Sequence, residues 1–343
     1  MASENIYRHI LIDEESVTPK YLQIVNSVLK AVQYGHIGKD YVLPSINDLS
    51  FELNIARDTA ERAYRQLKKL GLVGSIPGKG YFILDADIRQ DIRVLLLFNK
   101  LSAHKKIIYD AFVDTLGDRA AIDFYIYNND LALFHRLVRN RRKGYSHIVI
   151  IPHFIEGEEK AAEIIDSITE GQLILLDKAV EGVQRPFGSV YEDFGADIYG
   201  ALEQALPNLS RYKRLKLLIR TPSYFPAEIR EGFERFSIQY AFPFETLEDT
   251  DQVRPASGDV FLSLTEDDML TLIDRIQSDG LQLGSDVGLI SYNETPWKRF
   301  ILNGITTIST DFKAMGEMAA RMILDKTSGQ IAVPFALTLR NSL

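Results

Sequence analysis

Cysteine is absent from the 343-residue sequence, which excludes disulfides and thiolate metal sites and fits a reducing, cytoplasmic setting. No apolar run approaches membrane-spanning length, and the opening MASENIYRHILIDEES lacks a basic stretch followed by an apolar one, so neither a membrane span nor export is expected. Net positive charge is missing too. A formal charge of -8 argues against a protein that coats nucleic acid non-specifically, while leaving room for a local basic site. There is no GxxxxGK[ST] phosphate loop, no nucleophile elbow, no lysine in a cofactor-binding context, and no histidine spacing of a metal site. An enzyme is therefore not expected, nor is a cofactor or a metal. What is present, 46% hydrophobic and 25% charged residues, describes a globular chain long enough for two or three domains.

The stretch from Tyr41 to Ile83, YVLPSINDLSFELNIARDTAERAYRQLKKLGLVGSIPGKGYFI, organises the N-terminal part. After the extended Leu43-Pro44 pair, Ser45 is placed to cap a helix with an apolar side of Leu49, Leu53 and Ile55, and Asn54 stops it. A second helix starts near Ala56. In it Ala60, Ala63, Tyr64, Leu67 and Leu70 recur at three- and four-residue spacing, leaving Arg57, Asp58, Thr59, Glu61, Arg62 and Arg65 on other faces until Gly71 closes it. Two β-prone runs, Leu72 to Ile76 and Tyr81 to Leu84, flank Pro77-Gly78-Lys79-Gly80, a tight hairpin with a cation at its tip.

The pattern is a helix-turn-helix followed by a wing. The major groove admits one helix with its first residues at base edges, which points to Arg57 as base reader with Thr59 beside it, and to Asp58 and Arg62 as neighbouring candidates. Lys79 between Gly78 and Gly80 would bring charge close to phosphates or into the minor groove, and Ser45 would add a phosphate contact near a helix N-terminus. A plainer alternative is a small helical packing unit with an ordinary hairpin; the joint placement of cap, turn and cation favours DNA.

Pro19-x-Tyr21-x-Gln23-Ile24, Leu43-Pro44-Ser45, Leu49-Ser50, Arg57-x-Thr59, Ala63-Tyr64, Leu67, Gly71 and Gly78-x-Gly80-x-Phe82 resemble the winged-helix domain of GntR-type bacterial transcription regulators, over about residues 10 to 84. In that family an arginine two residues after Leu-Pro-Ser contacts DNA. Here the position holds Asn47, while Asp58 follows Arg57 and Glu61 stands where some members carry arginine. The resemblance implies a DNA-binding domain with fewer phosphate cations than usual and a modest operator affinity per subunit.

Upstream, Lys20 to Tyr34 reads as a helix through Ile24, Val25, Val28, Leu29 and Val32, and Ile10 with Ile12 as a short strand against the winged-helix domain. Asp85 to Asp91 is a short charged connector, so the expected domains are 1–84, a linker at 85–91, and 92–343. Beyond it strands alternate with helices: Ile92 to Phe98, Ile122 to Tyr127, His147 to Ile151 and Leu173 to Leu176 are strands with helices between them. A second series follows: Leu215 to Ile219, strand-prone Phe242 to Leu247, Val260 to Leu264 and Val287 to Ser291. Near-continuous apolar strands separated by amphipathic helices indicate doubly wound parallel sheets, and two consecutive sets imply two α/β lobes with a ligand cleft at the strands' carboxyl ends.

This region also resembles the sugar-binding domain of LacI-type repressors and of periplasmic sugar-binding proteins. The carriers are Asp286-Val287-x-Leu289-Ile290-Ser291-Tyr292-Asn293-Glu294-Thr295-Pro296, Ile305-Thr306-Thr307-Ile308, Gly316 and Arg340-x-Ser342, with Asp177-Lys178, Gly195-Ala196, Gly232-Phe233 and Glu266-Asp267-Asp268-Met269 upstream. A GntR-type head joined to such a domain is similar to the bacterial arabinose repressors. The resemblance implies sugar contacts from Asn99, His104, His153, Tyr191, Glu192, Arg220, Asp267 and Asn293, the last standing where the family commonly has aspartate. Polar side chains at strand ends suit a polyhydroxylated ligand. Trp297, the single tryptophan, is either a stacking platform or a lobe-surface aromatic. His104 and His153 each also admit a structural role, and the basic run Arg136, Arg139, Arg141, Arg142, Lys143 reads as a solvated helix end rather than a second nucleic-acid patch.

The function these features imply is a homodimeric transcription regulator that reads a pseudo-palindromic double-stranded operator and releases it when a neutral monosaccharide binds. Alternatives are a sugar-dependent co-repressor or activator, a GntR-headed pyridoxal-phosphate enzyme of the aminotransferase kind, and a transport-associated binding protein, which the missing export signal and the head disfavour.

Overall fold

The computed structural model describes residues 5–76, 78, 80–85, 92–141, 144–220, 225–248 and 253–343. In the N-terminal part, apolar spacing produces the expected helices. α1 (Lys20–Gln33) buries Ile24, Val28 and Leu29, and Gly35 follows it in the left-handed region (φ 74°) that ends helices. A two-residue strand β1 (Val42–Leu43) precedes α2 (Ile46–Glu52), and Asn54, also left-handed (φ 49°), separates α2 from α3 (Arg57–Lys69). The wing is β2 (Val73–Ile76) and β3 (Gly80–Ile83), and β1 pairs antiparallel with β3 to make a three-stranded sheet. The strand expected at Ile10 and Ile12 is not formed. Ile10 is instead buried in the helical core, and Val42–Leu43 provides the extra strand. Of the linker expected at 85–91, residues 86–91 lie outside the described residues, as do Arg142 and Lys143 of the basic run.

The first lobe holds β4 (Ile92–Phe98), α4 (Ala103–Leu116), β5 (Ala120–Ile126), α5 (Leu131–Arg141), β6 (His147–Ile150), α6 (Ala161–Asp166), β7 (Gln172–Asp177) and β8 (Phe187–Tyr191). The second holds α7 (Phe194–Gln204), α8 (Leu206–Leu209), β9 (Arg214–Leu218), α9 (Ala227–Gln239), β10 (Phe244–Leu247), β11 (Asp259–Ser263), α10 (Glu266–Ser278), β12 (Gly288–Tyr292) and β13 (Thr306–Thr310). The chain then returns. α11 (Phe312–Leu324) packs against α4, β14 (Gln330–Ala332) pairs with β8 in the first lobe, and β15 (Phe335–Thr338) pairs antiparallel with β13 in the second. The lobes are therefore not simply consecutive in sequence, as the strand rhythm alone implied.

Among the described residues the first-lobe sheet has the order β14-β8-β7-β6-β4-β5, all parallel, and the second has β10-β9-β11-β12-β13-β15. Each sheet is covered on both faces by its own apolar cluster, which is why its strands read as continuous hydrophobic runs. Strand order reverses between β4 and β6 in one lobe and between β9 and β11 in the other, and such reversals open a crevice at the strands' carboxyl ends. No helix among the described residues is long and apolar enough to cross a membrane.

Candidate functional site

The head presents one face of α3. Ala60, Ala63, Tyr64 and Leu67 are buried against the helical core, and the Tyr64 hydroxyl donates to Pro44 O at 2.7 Å, locking α3 to the segment before α2. Ser45 caps α2 by accepting from the Asp48 amide at 3.1 Å. Arg57, first residue of α3, keeps a side chain 66% exposed. Its Nε donates to Asn47 Oδ1 at 3.2 Å, so the residue in place of the family's arginine orients Arg57. Glu61 lies 3.5 Å from Arg57 and 3.2 Å from Arg65, drawing both cations toward the helix itself. Asp58 is exposed in the first turn, Thr59 is half-buried, and the Arg62 guanidinium lies 4.5 Å from the Tyr21 ring centroid, turned toward α1. Gly78 and Gly80 are both left-handed (φ 80° and 84°), as a tight wing tip requires; Lys79 between them lies outside the described residues.

The second candidate site is a cavity of about 270 Å³ between the lobes. On the first-lobe wall, Lys105 of α4, Asp177 at the end of β7 and His153 after β6 form a buried cluster: Lys105 is ion-paired with Asp177, and His153 Nε2 lies 3.1 Å from the other carboxylate oxygen. Burial alone would raise the Asp177 carboxyl, but Lys105 and His153 outweigh it and hold the group well below the usual carboxylate range. Asp177 adopts the left-handed conformation (φ 72°), strain that the cluster holds in place. His104 rests against Phe312, ring centroids 4.9 Å apart, and burial followed by the charge of Lys105 pushes its imidazole down to about 3, which keeps it neutral. Asn99, directly after β4 and 1% exposed, gives its Nδ2 to Asn129 at 2.6 Å and leaves Oδ1 without a partner.

The second-lobe wall is built from the ends of β11 and β12. Glu266 and Asp267 open α10 in exposed positions, and Asn293 follows β12 in the left-handed region (φ 62°) with its Oδ1 buried and without a partner. Lys298, 1% exposed, donates to the carbonyls of Tyr292 and Asn293 and approaches Glu266 at 4.0 Å; burial lowers its ammonium to about 8. The two walls touch where Tyr292 donates to Glu192 Oε2 at 3.1 Å. Burial, then the neighbouring charge of Asp177, lifts Glu192 to about 8, so it is a neutral acid at pH 7. Phe194, Phe225, Tyr292 and Phe312 supply the aromatic part of the lining. Unpartnered amide oxygens from both lobes, neutral and charged acids, and aromatic faces line the cavity, a set of groups able to pair with hydroxyl donors and to cover an apolar ring face.

Asn99, His104, His153, Glu192, Asp267 and Asn293 thus converge on one cavity. Tyr191, Arg220 and Trp297 do not line it. Tyr191 ends β8 one residue before Glu192 and is not among the residues lining the cavity. Arg220 is drawn onto the buried Asp268, with Nε at 2.7 Å and Nη2 at 2.6 Å from Oδ1. Trp297 packs against the second lobe's apolar cluster, the surface-aromatic alternative. Lys105 and Lys298, not foreseen, occupy the wall because tertiary packing turns them inward; a lysine one residue beyond His104 carries no signal of this by itself. Among the described residues, no group of three His, Asp or Glu is arranged to hold a metal ion.

Comparison with known proteins agrees with both halves. Residues 20–83 match the profile of bacterial regulatory proteins of the gntR family, and residues 213–340 match that of a periplasmic binding protein-like domain. Curated relatives from Bacillus subtilis (strain 168) include the HTH-type transcriptional regulator KdgR, 29% identical over 85 residues and covering 25% of either chain. They also include the HTH-type transcriptional repressor NagR, 25% identical over 117 residues, 32% of this chain and 48% of the relative, and the uncharacterized HTH-type transcriptional regulator YhdI, 36% identical over 76 residues, 22% of this chain. The chain spans only 16% of YhdI, 25% of KdgR and 48% of NagR. A LacI family transcriptional regulator from Enterococcus faecium, solved with bound ribose, superposes with a TM-score of 0.59 at 17% identity over 73% of this chain and 98% of that one. The Lac repressor bound to ONPG gives 0.60 at 17% identity over 84% and 90%. The protein joins a GntR-type winged-helix DNA-binding domain to a two-lobed, periplasmic-binding-protein-like body with the fold of LacI-family regulators.

Proposed function

We propose that the protein is a cytoplasmic transcription repressor in which residues 1–84 read DNA, 85–91 connect, and 92–343 bind a neutral monosaccharide. A homodimer sets two heads on the half-sites of a pseudo-palindromic double-stranded operator, and sugar in the cleft releases them. The observation that carries this reading is the union in one chain of an exposed Arg57 at the start of α3 with an interlobe cavity whose Asn99 Oδ1 awaits a donor. Arg57 with Thr59 reads bases, Ser45 and the wing touch phosphates, and Asn47 aligns Arg57. Within the cleft Asn99, Asn293, Asp267 and Glu192 take the ligand's hydroxyls. A neutral ligand fits because the buried cations are already engaged, Lys105 by Asp177 and Lys298 by two carbonyls, whereas an anion prefers arginine clusters. The relatives support the direction: NagR is named a repressor, and the Enterococcus structure holds ribose.

Thermal-shift screening of pentoses, hexoses and deoxyhexoses, followed by gel-shift titration on DNA selected from a random pool, tests this reading. A sugar that stabilises the protein is expected to release the DNA. A stabilising sugar that leaves DNA affinity unchanged overturns the reading, and one that tightens it makes the protein a co-repressor. Arg57→Ala is expected to weaken the selected DNA by about 1–3 kcal/mol, without changing the melting temperature.

A further inference from the structure

β5 is the outermost strand of the first-lobe sheet, so one side of it would carry unpaired backbone groups. The head satisfies those at Ile122 and Phe124. The Val17 amide donates to Phe124 O at 2.8 Å, the Phe124 amide donates to Thr18 Oγ1 at 2.8 Å, and Thr18 Oγ1 donates to Ile122 O at 3.3 Å. Beside this seam Asn26 Nδ2 lies 3.4 Å from Ile122 O and Lys30 pairs with Asp123 at 3.7 Å. Even the reading helix takes part: Gln66 and Lys69, near the end of α3 away from Arg57, reach Asp118 of the first lobe at 2.9 and 3.0 Å. Thr18 and Asn26 are both buried at the seam, and their side chains are hydrogen-bonded across it. Polar seams exchange their bonds for bonds to water at small net cost, which makes this one able to open.

The turn that follows the carboxyl end of the same strand, Tyr127 to Asn129, is tied to the cleft. The Asn129 amide donates to Asn99 O at 3.0 Å, Asn99 Nδ2 donates to Asn129 Oδ1 at 2.6 Å, and the His153 amide donates to the Tyr127 hydroxyl at 3.2 Å. Asn99 and His153 both line the cavity, and Asn99 keeps its other amide atom free of partners. From Phe124 to Asn129 the chain spans no more than roughly 17 Å.

We propose that β5 is the transmission element of the molecule: the cleft grips the turn after its carboxyl end through Asn99 and His153, the head docks on its middle, and occupancy of the cleft is read at the DNA as release of the docked head. This rests on the regulator reading above. Docked heads are held at a fixed spacing for two half-sites, and a released head loses that spacing. By linkage, loosening the seam must in turn change affinity at the cleft.

Amide hydrogen exchange of the full-length protein, with no ligand added, tests the path by itself. Asn129→Gly removes the Oδ1 acceptor and suits the left-handed backbone there (φ 59°), while Asn129→Asp keeps an acceptor. The Val17 and Phe124 amides are expected to be protected in the wild type and to exchange about tenfold faster in Asn129→Gly, equivalent to about 1.4 kcal/mol. Protection should return in Asn129→Asp. The Val333 amide, bonded to Tyr191 O at 2.9 Å at the opposite edge of the sheet, should not change in either variant. Free exchange at Val17 and Phe124 in the wild type, unchanged exchange in Asn129→Gly, or equal acceleration at Val333 overturns the proposal. If no sugar binds the wild type, the ligand reading fails while the exchange result still decides the path. If one binds, Thr18→Val, remote from the cleft, is expected to tighten it about tenfold; an unchanged Kd overturns the coupling.

Discussion

The two walls of the cleft are built on opposite plans. The first-lobe wall is buried, with Lys105, Asp177 and His153 locked together and Asn99 Oδ1 left without a partner. The second-lobe wall is more open: Glu266 and Asp267 are exposed, Asn293 is half-buried, and Arg220 is diverted to Asp268. The contrast is between a wall whose polar groups hold one another and a wall whose acids stay open to solvent; under the proposed function the first is preorganised for the ligand and the second completes its contacts on closure.

Removing the centre of the buried cluster should have the largest effect. Asp177→Ala leaves Lys105 enclosed without its carboxylate, and is expected to lose about 3–5 kcal/mol in urea denaturation. Asp267→Ala on the open wall should change stability by no more than about 0.5 kcal/mol while weakening the sugar. Equal losses would break the contrast.

Titration sharpens it further, because Glu192 and Lys298 act in opposite directions. Glu192 rises from 4.5 to about 8 on folding, so its contribution to stability is fully present below pH 4.5 and is lost as pH climbs through 8. Lys298 falls from 10.5 to about 8, so its contribution is present above pH 10.5 and is lost as pH drops through 8. Urea midpoints measured across both windows should flatten below pH 8 in Glu192→Gln and above pH 8 in Lys298→Met, each leaving the other window intact. The smallest effect is expected at Trp297, which packs on the second lobe's apolar cluster and does not line the cavity: Trp297→Phe should alter sugar affinity, read by calorimetry, by less than about 0.5 kcal/mol.

Much of the fold was legible in the chain. The cap at Ser45, the stop at Asn54 and the helix from Arg57 follow from local chemistry, and so do the strands that run as unbroken apolar stretches, such as Ile92–Phe98. Phe187–Tyr191 was missed because Gly188 and Ser189 interrupt its hydrophobic run, although its neighbours in the sheet make it a strand. Gln330–Ala332 is exposed throughout and is ordered only by pairing with β8.

The sequence alone determined which residues end their strands and which head precedes the body, because caps, turns and apolar periodicity act over a few neighbouring residues. Tertiary structure alone decided that the C-terminal segment returns to the first lobe, that Lys105 and Lys298 turn inward while Tyr191, Arg220 and Trp297 turn away, and that Thr18 closes the edge of β5. Those outcomes depend on partners distant in sequence, Asp177 for Lys105, Asp268 for Arg220 and Phe124 for Thr18, and a buried polar group faces whichever partner satisfies it.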